Sequence, residues 1–471
     1  MANAVLDRLS AHDHVLARLF SPVDIAPLVW FRVIFGAIFV WEVYRYFSHG
    51  WIARYYIDPV FYFSYYGFDW VRPWPGNFMY LHFGVLGILA FAIMVGLWYR
   101  AAAVLFCVGF WYVFLLDQTR YLNHFYLLGL ISFLLIFIPA NRSLSLDAWR
   151  RPMIRLDTVP AWTLWLLRAQ IGVVYVFGGV AKLNADWLRG EPMRTWLARR
   201  TDFPVIGSYF SEEWMVYAFS YGGLFVDLLI VPLLLWRRTL IPALVLSVLF
   251  HVLNAQLFRI GVFPWFMIGA SVLFLPAAWL RLGGLWKPAD AGVAEPSSEQ
   301  SIPTRSPPHL LPVHYATIAL LATYMTVQLV VPLRHHLYPG DVAWTEQGHR
   351  FSWRMMLRTK SGQAMFHVSE PTSAVTWEID PRDYLLRHQS VRVVTHPDMI
   401  LQFSHQLARH FQDAGYDDVE VHAVVATSLN GRQTQSYIDS SVDLTKERRT
   451  LTPTPWILPL VEVARDTAES Q

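Results

Sequence analysis

The spacing of apolar positions changes character along the chain. Over roughly the first 335 residues, apolar runs recur with only short polar turns between them. Each run is close to the ~20 helical residues that cross a hydrocarbon core of about 30 Å. The pattern predicts nine spanning helices, near 28–47, 78–98, 101–116, 122–140, 162–182, 214–236, 239–258, 260–280 and 313–333. The turns at Tyr99-Arg100 and Arg259-Ile260 are so short that the third and eighth spans are expected to be the least regular, broken or re-entrant. From Pro339 onward the pattern becomes the alternation of half-buried strands, as in FSWRMMLRT (351–359) and VEVHAVVATSL (419–429), with one helical stretch from Pro397 to Ala414. Residues 283–309 are rich in Pro, Ser and Gly and read as a flexible loop. The expected organisation is mainly α. An N-terminal segment (1–27) precedes a polytopic helical bundle (28–335), and a small, mostly β extramembrane domain (336–471) follows.

Composition sharpens this picture. Of the 471 residues, 55% are hydrophobic and 15% charged, well below the ~25% charge of soluble proteins. A purely cytosolic enzyme is therefore not expected. The formal net charge of +3 comes without basic blocks, which argues against nucleic acid as a partner. The single cysteine, Cys107, excludes an intrachain disulfide and any CxxC site. Residues 1–27 mix Asp7, Asp13 and Asp24 with short apolar pieces, unlike a cleavable signal peptide, so the first span is expected to direct insertion. Arg142, Arg150, Arg151 and Arg155 crowd the loop after span four. That bias places the N-terminus in the cytoplasm and, with an odd span count, the C-terminal domain on the opposite side.

Charged and polar groups inside the spans carry the candidate chemistry, because each costs at least ~2.5 kcal/mol on insertion scales unless it has a partner, a cavity or a task. Glu42 and Arg45 sit at i,i+3 on one helix face and read as a structural pair. Arg168 and Asp227 are candidates for pairing across helices. Lys182 ends the run QIGVVYVFGGVAK (170–182) with no acid one turn before it. Desolvation disfavours a charged ammonium, which makes it a candidate general base, and the competing reading pairs it with Asp186 four residues on. His124, beside Asn123, opens span four, and His251 lies inside span seven with Asn254 one turn later. HExxH, GxxxxGK[ST] and GxSxG motifs are absent. No metal is therefore expected, and the chemistry in view is acid–base work in a greasy pocket.

Four blocks then carry a resemblance. YVFLLDQTRYLNHFYLLGLISFLLIFIPANRSLSLD (112–147), FGGVAKLNADWLRGEPM (177–193), FHVLNAQLFRIGVFPWFMIGAS (250–271) and WTEQGHRFSWRMM (344–356) resemble vitamin K-dependent γ-glutamyl carboxylase, within the wider group bearing the horizontally transferred transmembrane domain. The resemblance implies an integral membrane enzyme of the inner or plasma membrane or the endoplasmic reticulum. Its co-substrates are reduced vitamin K, O2 and CO2. Oxidation of the hydroquinone to the epoxide yields a strong base, which removes a γ-proton from a peptide glutamate, and the carbanion captures CO2. It also implies that Lys182 deprotonates the hydroquinone and that Asn123 and His124 hold quinone oxygens and stabilise intermediates. His251 and Asn254 line the same pocket, while Trp353, Met355 and Met356 form the wall that admits the glutamate. The family's paired lysines appear here as Ala181 and Lys182, so Lys182 is the sole amine of its block. Two other readings stay open, an epoxidase without protein carboxylation and a non-catalytic protein that binds quinone or lipid.

Overall fold

The computed structural model describes residues 16–258, 260–281, 286, 310–372 and 374–462. The N-terminal segment and the loop at 283–309 fall largely outside the described residues. Helices occupy the place of each predicted span: α1 (Ala26–Ser48), α2 (Phe78–Val95), α3 (Tyr99–Leu116), α4 (Asn123–Phe137), α5 (Ala161–Ala181), α6 (Glu213–Leu235), α7 (Leu240–Leu257), α8 (Phe263–Ala270) and α9 (Pro312–Val330). Seven are long and apolar enough to cross a membrane. The other two, α4 and α8 with its 3-10 extension to Phe274, are shorter. The third span is thus a full helix despite its tight turn, whereas the fourth, expected to run to 140, stops at Phe137.

The shortening has a local cause at each end of α4. Asp117 closes α3, its side chain accepting from the Thr119 backbone N–H, and a 3-10 turn over Gln118–Arg120 delays the next helix until Asn123. Pro139 follows two residues after its last turn. Fifteen residues rise only about 22 Å, so α4 cannot reach both faces of a bilayer by itself. Irregular backbone at membrane depth is tolerated where it lines a cavity. Both α4 and α8 open onto one, as described below.

A strand pair, β1 (Pro22–Asp24) with β2 (Thr158–Pro160), ties the start of α1 to that of α5. The C-terminal domain carries a four-stranded antiparallel sheet in the order β4-β3-β5-β6, formed by β3 (Lys360–Glu370), β4 (Val375–Ile379), β5 (Glu420–Leu429) and β6 (Gln435–Ser436). The register Phe366↔Ala423 and Val368↔Val421 puts alternate apolar residues on one face. There they meet α10 (Pro397–Asp413), with Phe366 and Phe403 rings 5.0 Å apart. The run 419–429 is a strand as its alternation predicts. The run 351–359 is not: it is a loop in which Phe351, Trp353 and Met356 all take positive φ. Alternation there reflects two contact directions, Trp353 toward the helical core and the arginines toward a cavity, and no partner strand.

Polar contacts fix the domain against the bundle. Gln118 donates to Asp398 at 2.7 Å, and Gln402 accepts from the Ser64 backbone at 3.0 Å. Arg449 joins Asp69 at 2.9 Å and Asp398 at 2.8 Å. At another edge, Arg432 grips Asp186 through both terminal nitrogens at 2.7 Å, and Asn430 donates to the same carboxylate at 2.7 Å. Asp186 follows Lys182 by four residues, so this clasp holds the loop that leaves α5.

Candidate active site

Lys182 is the C-terminal cap of α5, where the helix meets α6 closely. Gly178 and Gly179 permit that approach, since a Cβ on Gly179 would fall 2.6 Å from Leu228 and one on Gly178 3.3 Å from the Asp227 carboxylate. Lys182 Nζ consequently meets the Asp227 carboxylate at 2.5 Å, with both residues 7% exposed. Its Nζ also donates to the Gly178 carbonyl at 3.3 Å and lies 5.2 Å from the centre of the Trp187 ring. Asp186, the partner that sequence spacing offers, is committed to Arg432. Arg168, the other candidate for Asp227, donates instead to the Leu273 carbonyl at 2.8 Å.

The Lys182–Asp227 pair forms one wall of a mainly apolar cavity of about 360 Å³ bounded by α5, α6, α7 and the start of α8. Tyr175, His251 and Asn254 supply its other polar atoms. Tyr175 lies seven residues before Lys182, two turns back on the same face, and its hydroxyl shares a 2.6 Å hydrogen bond with His251 Nε2. The other ring nitrogen, His251 Nδ1, is buried and has no partner among the described residues. A buried polar atom without a partner is costly in an apolar setting and marks a place where a ligand oxygen is wanted.

Asn123 and His124 do not line this cavity. They open onto a second, more polar one of about 1000 Å³ between the bundle and the C-terminal domain. The missing turns of α4 and α8 create its inner end, where Asn123 and His124 face Gly261 and Phe263. Gly261 has φ of +61°, and a Cβ there would come 3.9 Å from His124 Nε2. Asn123 is held by Tyr121, whose hydroxyl donates to it at 2.8 Å and itself accepts from the Phe351 backbone at 2.6 Å.

Six arginines, Arg45, Arg120, Arg350, Arg354, Arg358 and Arg392, line this second cavity together with Lys360, against only two carboxylates, Glu42 and Glu346. Glu42 is used by Arg45 at 2.7 Å, the pair expected from their i,i+3 spacing. Glu346 is used by the Arg358 fork, at 2.6 and 2.8 Å. Arg350, Arg354 and Arg392 have no side-chain hydrogen bond among the described residues. Burial pushes the Lys360 ammonium down to about 7 against the opposing pull of Glu346. Burial, reinforced by Arg358 and Arg350 respectively, holds His349 and His396 well below the ordinary histidine range, so both are neutral at pH 7. The field in this cavity is positive and suits an anion.

The two cavities share a wall made by Phe258, Ile260, Phe263, Met355 and Met356. Phe263 stands between the two histidines, its ring centre 5.8 Å from that of His124 and 6.1 Å from that of His251. Met355 and Met356 reach this wall from the strained loop at 351–356, and Met355 Cε approaches within 3.5 Å of where a Gly178 Cβ would stand. Trp353 differs from the rest of its block. It is fully buried in the helical core, 5.0 Å from the Tyr126 ring, and lines neither cavity. It anchors the loop that carries Arg354 and the methionines, which makes it a positioning residue.

Sequence reasoning passed over Tyr175 and the arginine group at 350, 354, 358 and 392. Tyr175 was signalled by its i−7 relation to Lys182. The arginines come from a loop and a helix about forty residues apart, so only their spacing of four within 350–358 was visible.

No solved structure matches the chain. Residues 20–279, more than half of it, match the HTTM domain family. Residues 313–463 match the lumenal domain of vitamin K-dependent gamma-carboxylase. The two matches meet at the two cavities, the first contributing Lys182, His124 and His251 and the second Arg350, Arg354, Arg358, Arg392 and the two methionines of the shared wall. The chain belongs to the HTTM family, in its vitamin K-dependent gamma-carboxylase branch.

Proposed function

We propose that the chain oxidises a vitamin K-type hydroquinone with O2 and couples that oxidation to γ-carboxylation of a glutamate residue. The observation that carries this reading is the shared wall. An apolar chamber containing a buried amine adjoins a cationic chamber open to a second substrate, so a base produced in one is formed beside the anion held in the other. In atom balance, hydroquinone, O2, CO2 and a glutamate side chain give the epoxide, water, a γ-carboxyglutamate and a proton.

The residues divide the work. In the apolar chamber Lys182 works as the free amine: it receives the phenolic proton, and the Asp227 carboxylate holds the ammonium so formed, the ion pair being the protonated state of the base, which removes the need for water at that corner. His251 Nδ1 and Asn254 are the groups that orient the ring oxygens. In the cationic chamber Arg350, Arg354 and Arg392, the guanidinia without acceptors, bind the glutamate carboxylate and steady the second carboxylate as it forms. His124 and Asn123, at the inner end of that chamber, face the wall through which the two reactions communicate. Met355 and Met356 form the glutamate side of that wall, and Trp353 fixes their loop.

Purified protein incubated with reduced vitamin K, O2, 14C-labelled CO2 and a Glu-containing peptide tests the reading, because epoxide and fixed carbon are measured separately. We also propose that the N-terminus faces the cytoplasm and that residues beyond 334 face the opposite side, which the arginines of the loop after α4 support. Alkaline phosphatase fused to the C-terminus should then be active.

A further inference from the structure

The apolar cavity has a side that the chemistry above does not use. Ala218 and Gly222 on α6, with Leu246 and Leu249 on α7, line it and are themselves exposed on the outside of the bundle. Leu246 is 40% and Leu249 62% exposed. Their neighbours on the same faces, Phe225 at 54% and Val245 at 54%, are apolar and outward-facing as well, as lipid-contacting positions are. A Cβ added at Gly222 would meet nothing within 4 Å. A residue that lines a cavity and is also exposed on the outer face belongs to a mouth. This mouth opens between two spanning helices at the side of the bundle.

Size points the same way. A volume of about 360 Å³ is at the small end of the ~300–1,000 Å³ of ligand pockets, which admits a bicyclic aromatic head group and the start of a substituent and leaves no room for a long tail. The polar corner, with Lys182, Asp227 and His251 Nδ1, fixes where such a head group's oxygens go. Any long substituent must leave the cavity, and the α6–α7 mouth is lined by small and aliphatic side chains.

We propose that the gap between α6 and α7 is a lateral portal, through which the substrate's head group enters from the bilayer and in which its polyprenyl tail remains during turnover. Ala218 and Gly222 set its width. The head group of the hydroquinone proposed above then reacts inside the cavity while its tail stays in lipid. This inference rests on the reading of the cavity as the hydroquinone site.

Two measurements test it. In the first, wild-type protein in lipid nanodiscs is irradiated with a naphthoquinone carrying a diazirine on its first prenyl unit, and the labelled residues are mapped by mass spectrometry. Labelling of Ala218, Gly222, Leu246 or Leu249 that is competed by excess tailless naphthoquinone is expected, whether or not the protein proves to be a carboxylase. Competable labelling confined to other helices, or to the cationic cavity, would overturn the portal. In the second, Gly222→Phe is compared with wild type on tailed and tailless hydroquinones. The ratio of kcat/KM for tailed over tailless should fall by at least roughly tenfold. An unchanged ratio in folded protein would also overturn it. If wild type makes no epoxide from either compound, the functional reading fails, and the photolabelling alone decides the portal.

Discussion

The Lys182–Asp227 pair permits a separation of folding from chemistry. Its partners are 8% and 9% exposed in their side chains and meet at 2.5 Å. Their interaction is therefore little screened by solvent. Removing one member of such a pair strands the other and costs ~3–5 kcal/mol, whereas replacing both with apolar groups is neutral or stabilising by ~1–4 kcal/mol. The double replacement has room here because both side chains border the 360 Å³ cavity. Lys182→Met should thus lower the apparent melting temperature, at roughly 2–4 °C per kcal/mol for a domain of a few hundred residues. Lys182→Met with Asp227→Leu should recover most of that loss. Thermal unfolding followed by intrinsic fluorescence in one detergent checks the ordering, and epoxide formation is assayed on the same preparations. Both variants should be inactive. A double variant that melts no higher than Lys182→Met would refute the pair as an energetic unit. An active double variant would refute the role of the amine.

Other consequences concern the cationic chamber. Arg392→Ala removes a guanidinium without an acceptor of its own and should raise the KM for a Glu peptide by about 10–100-fold, the equivalent of a ~1.5–3 kcal/mol charged hydrogen bond, while epoxide formation persists. Because burial holds Lys360 near 7, its charge is present below that pH and lost above it. Peptide KM should therefore rise as pH increases through 7, and Lys360→Met should flatten that limb. Trp353→Ala, at a fully buried position in the helical core, should cost ~3–5 kcal/mol, lowering the yield of folded protein and reducing both products together. Selective loss of carboxylation with unaltered melting would place Trp353 in contact with the peptide instead.

The bundle was legible because hydropathy reports length in lipid directly, and among the described residues each of the nine apolar runs carries a helix. Hydropathy does not report backbone conformation. Ile138–Ala140 and Ile260–Val262 keep the apolar average high while lying outside the helices. The short α4 was invisible for that reason, whereas the irregular eighth span was announced by the tight turn at Arg259-Ile260; the inner end of the cationic chamber needs both. Lys182 stood out as a charge where none is expected. Its partner did not, since Asp227 is 45 positions away and reaches it only because Gly178 and Gly179 let two helices touch. The blocks that carry the family resemblance grouped Lys182, His124 and His251 into one pocket. The fold divides them between two chambers that share a wall, a distinction that depends on Phe263 and the methionines and has no local signature in the chain.

The central claim is that Lys182 starts a hydroquinone oxidation whose product base acts across the shared wall. The most direct measurement follows epoxide and 14C-carboxylated peptide side by side in wild type and Lys182→Ala, with reduced vitamin K, O2, labelled CO2 and a Glu peptide. The account predicts both products from wild type and neither from folded Lys182→Ala. Epoxide formed by Lys182→Ala at the wild-type rate would contradict it.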